Sequence, residues 1–210
     1  MEEIHIIKKE QARVAELVII RDDFSNLDYI AGVDSIVINN EKIIAVIILC
    51  NKEMEPIDKA FAIHDKKNNQ SDWQAAYKEG PAIIEAVKKL KTKPDVILVN
   101  GHGISHSRLG IASFIGLLLD TSTIGVVKNI VHGKVVDGLL YVENEIRGYE
   151  LQTRKGSRPV YVSPGHKVSL KSSINIVRDC IKWPHKLPEP LALAHKYLNK
   201  LKKEEIESNS

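Results

Sequence analysis

Aromatic side chains are scarce in this sequence, 5% of 210 residues, while Ile, Val and Leu supply most of a 43% hydrophobic content. A core without aromatic bulk is filled by branched aliphatic chains, which suit buried strands and favour an α/β architecture over an all-helical one. Cysteine is nearly absent. Cys50 and Cys180 each sit in an apolar pattern and no Cys-x-x-Cys pair exists, which argues against a zinc knuckle or redox motif and leaves two buried, reduced thiols. A dominant charge is missing too. The 30 Lys and Arg against 27 Asp and Glu leave +3, too little for a histone-like basic coat, so any nucleic-acid contact must be local. No apolar run could cross a bilayer, and the stretch from Ile43 to Cys50 has the length of a buried strand. Residues 1–10 mix charges every few positions without an apolar signal-peptide core, so the expected location is the cytoplasm, with no membrane partner.

The length matches one domain spanning 1–210, with a charged, frayed tail over about 203–210. An amphipathic opening helix is predicted from about Ile7 to Ile20, carried by Val14, Leu17 and Val18. Three apolar runs follow, Tyr29 to Val37, Lys42 to Cys50 and Ile57 to Ile63, with Asn39-Asn40 as a turn signal, and read as an antiparallel meander. The polar stretch from His64 to Gln74 reads as an exposed loop, and the helix after it is interrupted early by Gly80-Pro81. Val96 to Val99 is wholly apolar and reads as a central strand. Then come a helix over Ile111 to Leu119, strands at Ile124–Val127, Leu139–Val142, Arg147–Gln152 and Val160–Val162, and helices at about Val168–Lys182 and Leu191–Lys203. Three antiparallel strands, then helix, buried strand, helix and strand, is the order of a ribonuclease H-like mixed sheet flanked by helices.

Five polar features interrupt this apolar pattern. Asp34 lies inside the strand run Ala-Gly-Val-Asp-Ser-Ile-Val; a buried carboxylate needs a metal ion or a basic partner, unless it caps a turn at the strand end. Glu79 stands beside Gly80 and Pro81 near a helix start, where a carboxylate can also simply favour the helix dipole. Asn100-Gly101-His102-Gly103-Ile104-Ser105-His106 directly follows the central strand, the position where open α/β sheets bind ligands, though an ordinary strand-to-helix turn would also use its glycines. His102 and His106 have the spacing of a helical zinc pair, but Gly103 between them and the lack of a Glu after His102 argue against a zincin. Lys128 and His166 each follow a strand, positions equally suited to a surface charge and a plain Pro-Gly turn.

These motifs, in this order, resemble the endonuclease V family, deoxyinosine 3′ endonucleases of the ribonuclease H-like group. The resemblance covers roughly Gln11 to Leu198. Asp34 in Ala-Gly-Val-Asp matches the family's first metal-binding aspartate, and Glu79 in Lys-Glu-Gly-Pro-Ala its catalytic glutamate, with Lys78 where the family usually has arginine. His106 matches its catalytic-loop histidine, and Leu109-Gly-Ile-Ala-Ser continues that motif; Lys128 and His166 match two further active-site positions, and Pro188-Glu-Pro the start of the last helix. Departures are Asn100 in place of the second metal-binding aspartate, Gln70 where a strand-wedging tyrosine is expected, Trp73 as the nearest aromatic that could replace it, and Phe114 where a histidine is common.

The resemblance implies hydrolysis of inosine-containing or structurally aberrant DNA or RNA, single-stranded or lesion-containing, with Mg²⁺, or alternatively Mn²⁺, polarising the phosphate. Asp34, Glu79 and Asn100 would hold the metal, and His106, Lys128 and His166 would position or neutralise the scissile phosphate. Gly101, His102, Gly103, Gln70 and Trp73 would contact substrate. The amide at Asn100 is expected to weaken the metal site, and the alternative reading is a catalytically impaired nucleic-acid-binding protein that kept the nuclease fold.

Overall fold

The computed structural model describes residues 11–66 and 75–208. A helical segment, α1, covers 11–15 and leaves the helix at Glu16, well before Ile20 where the apolar spacing ends. Beyond it the backbone is tied to a distant strand, with Lys167 N–H donating to the Ile19 carbonyl at 2.7 Å. That long-range pairing outweighs the local helical pattern.

The meander forms as its alternation predicts. Strands β1 (Ile30–Ile38), β2 (Lys42–Cys50) and β3 (Pro56–Asp65) pair antiparallel, and the chain reverses through Asn39 and Asn40 at φ 50° and 60°, values a short hairpin turn requires. Helix α2 (Ala75–Lys88) follows. Contrary to the expected interruption, it runs through Gly80 and Pro81. Pro81 forgoes one hydrogen bond, but Ala82, Ile83 and Ala86 are buried against the sheet, and that packing sustains the helix.

Strand β4 (Val96–Asn100), helix α3 (Ile111–Leu119) and strand β5 (Ser122–Val127) come next. Strands β6 (Lys134–Val136), β7 (Leu139–Val142), β8 (Glu145–Leu151) and β9 (Val160–His166) extend the sheet. Helices α4 (Leu170–Asp179) and α5 (Glu189–Ser208) close the chain. Helix α5 continues past 203 to Ser208, and Glu205 pairs with Lys42 of β2.

Among the described residues the nine strands lie in the order β3-β2-β1-β4-β5-β9-β8-β7-β6. Strands β1, β4 and β5 are parallel, and β9 is antiparallel to β5. This is the ribonuclease H-like mixed sheet expected from the element order. Alternation divides the side chains into two faces. Ala31, Val33, Ile97 and Val99 pack under α2 and α3. Ile30, Val96, Leu98, Ile36 and Ile38 face the other way, toward α4 and α5. Cys50 and Cys180 are free and buried on this second side, and loss of water around them pushes both thiols up to about 12. They are inert packing groups.

Candidate active site

Asp34 and Ser35 are successive residues of β1, so their side chains leave the sheet on opposite faces. On the α5 face, Asp34 is only 4% exposed. Register aligns Val33 with Val99, which brings Asn100, at the end of β4, beside it. The Asn100 amide donates to Asp34 Oδ1 at 2.7 Å, Ser35 N–H donates to the same oxygen at 2.9 Å, and His195 Nδ1 meets Asp34 Oδ2 at 2.8 Å. A carboxylate can only accept, which turns the Asn100 nitrogen toward Asp34 and its oxygen away. On the opposite face, Ser35 Oγ donates to Glu79 Oε2 of α2 at 2.7 Å. Glu79 therefore joins the group through Ser35, and it shares with Asn100 the lining of a cavity of about 170 Å³ completed by Ala76, Gly101, His102, His106, Leu109 and Ile111.

The glycine-rich loop after β4 is held close to the sheet. A Cβ on Gly103 would lie 2.0 Å from the Pro164 carbonyl oxygen, and one on Gly125 of β5 2.4 Å from Gly103 N. Only glycine permits this approach. Gly103 N–H donates to Ser163 Oγ at 3.0 Å, Ser105 Oγ donates to the same oxygen at 3.0 Å, and His102 Nδ1 contacts Ser105 Oγ at 3.0 Å. His106 Nδ1 accepts from Arg108 N–H at 3.1 Å, and among the described residues its Nε2 has no hydrogen-bond partner. The His102 and His106 rings are 6.3 Å apart between centres, and the His132 ring stands edge-on 5.5 Å from His106.

Burial lowers the affinity of His106 for a proton to a pKa of about 4, helped by repulsion from His102, His132 and Arg108. Burial and His132 lower His102 as well. His106 is thus a neutral imidazole at neutral pH rather than a fixed cation. Its ordinary value is about 6.5 and its folded value lower, so between these values the unfolded chain binds more protons than the folded one. Stability from this group is present above pH 6.5 and lost as pH falls toward 4. Melting temperature should drop across that window in the native chain, and His106→Gln should reduce the drop; equal slopes in both proteins would show that His106 is not the group responsible.

Lys128 follows β5 and shares a second cavity with His195, lined also by His185, Lys186, Leu187, Ala192, Leu193 and Lys196. Through His195 it stands next to Asp34. His166 does not join them. It pairs with Thr123 near the start of β5, level with Ile97, three residues back along β4 from Asn100 and about 10 Å away along the strand direction alone. There it is buried and accepts from Ile19 N–H at 3.3 Å. The antiparallel direction of β9 sends its last residue to the edge opposite the ends of β4 and β5, which removes His166 from the expected phosphate contacts. Gln70 and Trp73 lie outside the described residues. Phe114 packs on Tyr77 with ring centres 5.0 Å apart, a contact between α3 and α2.

A family profile described as Endonuclease V matches residues 12–196. Endonuclease V of Dictyoglomus turgidum is 38% identical over 209 residues, covering 95% of this chain and 91% of that protein. The Archaeoglobus fulgidus enzyme is 32% identical over 212 residues, covering 97% and 94%. The chain belongs to the endonuclease V family. Among solved structures, the Bacillus subtilis endonuclease V superposes with a TM-score of 0.87 at 25% identity, covering 100% of this chain and 96% of that one. Ciona intestinalis endonuclease V, in complex with a 24mer DNA containing an inosine followed by a ribo-adenosine, superposes at 0.85 with 26% identity, covering 97% and 98%.

Membership of the endonuclease V family makes this chain a nuclease by descent and sharpens the significance of its site. Sequence reasoning missed His195, the second side-chain partner of Asp34. A signal for it exists: Leu191, Ala194 and Leu198 are the buried stripe of α5, and His195 is the polar residue four positions after Leu191 on that stripe. Among the described residues, no three His, Cys, Asp or Glu side chains group as metal ligands. The oxygen donors of Asp34 and Glu79 nevertheless suit a hard divalent cation, with Asn100 able to add a neutral amide oxygen if its side chain turns.

Proposed function

We propose that this endonuclease V hydrolyses phosphodiester bonds in inosine-containing or structurally aberrant DNA or RNA, with a divalent-cation site weakened by Asn100. The observation that carries this reading is the 2.7 Å hydrogen bond from the Asn100 amide to Asp34. It sets a neutral group, and a proton, where two carboxylates would have faced a cation together. Asp34, Glu79 and the turned amide oxygen of Asn100 would hold Mg²⁺ or Mn²⁺, which when bound polarises a phosphate oxygen and lowers the pKa of water.

The chain's own residues supply the rest. His195 and Asn100 orient the Asp34 carboxylate, and Ser35 orients that of Glu79. Lys128 offers a positive charge beside His195 for the scissile phosphate. Neutral His106, its Nδ1 already accepting from Arg108 N–H, can exchange a proton at Nε2. The cavity of about 170 Å³ beside Glu79 and Asn100 is below the range of drug-sized pockets and fits one extruded base rather than a whole nucleotide. Free buried thiols suit a reducing compartment, in keeping with a cytoplasmic enzyme.

Strands that are identical except for one inosine test this reading, incubated with the native chain in Mg²⁺, in Mn²⁺ and in chelator. Cleavage confined to inosine strands and abolished by chelator is the expected result. Equal cutting of both strands removes the base-cavity assignment, and cutting in chelator removes the cation. The second reading, a binding protein with the nuclease fold, rests on the same Asn100 hydrogen bond and predicts inosine-strand binding without cleavage in either metal.

A further inference from the structure

Trp183 is 88% exposed, the most exposed large hydrophobic side chain among the described residues. Its loop, between α4 and α5, is tied down on several sides. Arg154 Nη1 donates to the Pro184 carbonyl at 3.1 Å, His185 N–H to the Lys182 carbonyl at 2.8 Å and Glu189 N–H to the Cys180 carbonyl at 2.7 Å. His185 Nδ1 also meets Glu189 Oε2 at 2.6 Å. The tryptophan is thus presented to water on a braced support, although burying its ring would be strongly favourable.

The surroundings of this loop are cationic. The cavity joining it to the site is lined by Lys128, Lys186, Lys196, His185 and His195 and by no carboxylate. Glu189, the nearby acid, is already engaged by His185. Lys128 and Lys186 line the same cavity, and the Arg154 bond to Pro184 ties the segment that carries Arg158 to this loop; Lys186 holds its proton less tightly than an ordinary lysine, first because of burial and then because Lys128 and Arg158 repel it. Such an arrangement is destabilising until an anion enters. The basic cavity runs from Lys128 and His195, next to Asp34, to His185, and Trp183 lies two residues further on, within about 7 Å of main chain.

We propose, building on the nuclease reading above, that Trp183, Lys186 and Arg158 form a contact surface for a single-stranded stretch of the substrate beside the cleavage site, with phosphates over the lysine and arginine and one base stacked on the indole. Aromatic stacking and backbone neutralisation together are the chemistry by which proteins hold single strands without reading sequence. The surface therefore grips inosine-containing and inosine-free strands alike, while preference for inosine belongs to the cavity beside Glu79.

The experiment is fluorescence-anisotropy binding of labelled single strands, with and without inosine, in chelator, to the full chain and to Trp183→Ala and Arg158→Ala/Lys186→Ala variants. Trp183→Ala should weaken both strands equally, by about 5- to 150-fold. The double variant should flatten the dependence of log affinity on log salt by about 0.7 for each phosphate left without its cation. Because the sequence holds two tryptophans, Trp73→Phe leaves Trp183 as sole reporter, and its emission should be quenched as a strand binds. Affinities within about twofold of native in both variants, or unchanged Trp183 emission on a strand that binds, overturn the surface. Loss of inosine preference with these effects intact counts only against the base cavity, and failure of the native chain to bind any single strand overturns both.

Discussion

Asn100→Asp is expected to raise Mg²⁺-dependent cleavage of inosine-containing strands by about two to three orders of magnitude. Asn100 sits within hydrogen-bond distance of Asp34, so a carboxylate there would complete a pair facing one cation. Restoring a single charge-stabilising group in an active site is worth ~2.7–4 kcal/mol of barrier, and each ~1.4 kcal/mol is tenfold in rate. A second readout does not need turnover. Without metal, the introduced carboxylate and Asp34 would repel each other at short range, and the variant should melt below the native chain in chelator. Mg²⁺ at about a hundred times its dissociation constant should return about 2.7 kcal/mol, or roughly 5–11 °C in a chain of this size. The native chain should respond far less. Removing Asp34 in the Asn100→Asp background should abolish both gains. Should the native chain already cut as fast as Asn100→Asp, Asn100 is not the limiting ligand; should neither protein cut or respond to Mg²⁺, the binding-protein reading takes its place.

Gly32→Ala should unseat the site without touching any polar residue. A Cβ on Gly32 would lie 2.2 Å from the carbonyl carbon of Pro190 and 2.5 Å from Leu191 N, both main-chain atoms in the first turn of α5. Neither can yield as a flexible side chain could, so α5 must lift off β1. His195, on the next turn of that helix, then leaves Asp34. Overpacking of this kind costs about 3 kcal/mol, a loss of roughly 6–12 °C in melting temperature, and cleavage should fall with it. His195→Ala separates the two effects, since it removes the Asp34 contact while leaving the helix seated. A Gly32→Ala protein that melts within about 2 °C of native and cuts normally would show that α5 is free to shift and that its backbone approach does not position His195.

Much of this architecture is legible in the residues because it depends on neighbours in sequence. The alternating and continuous apolar runs place β1, β2 and β4, the apolar run from Ile111 to Leu119 matches α3 at both ends, and the polar loop after the central strand marks the site, since side-chain period and turn chemistry are local properties. The limits of α1, α2 and α5 depart from local expectation for one reason: Lys167 captures the Ile19 carbonyl, sheet packing carries α2 through Pro81, and Lys42 holds the end of α5 at Glu205. Each is a contact between residues far apart in the chain.

Motif order in the sequence pointed to the family, and short-range pattern pointed to most of the sheet-and-helix order, β6 excepted, and to the candidates Asp34, Glu79, Asn100, His106 and Lys128, which the fold brings near one another. Tertiary structure alone decided which groups face Asp34. The antiparallel direction of β9 carried His166 to the far edge, the backbone approach of α5 at Gly32 brought in His195, and the parallel register of β1 with β4 set Asn100 beside Asp34. Strand direction and sheet order are set by the pairing of distant segments, and no local periodicity encodes them.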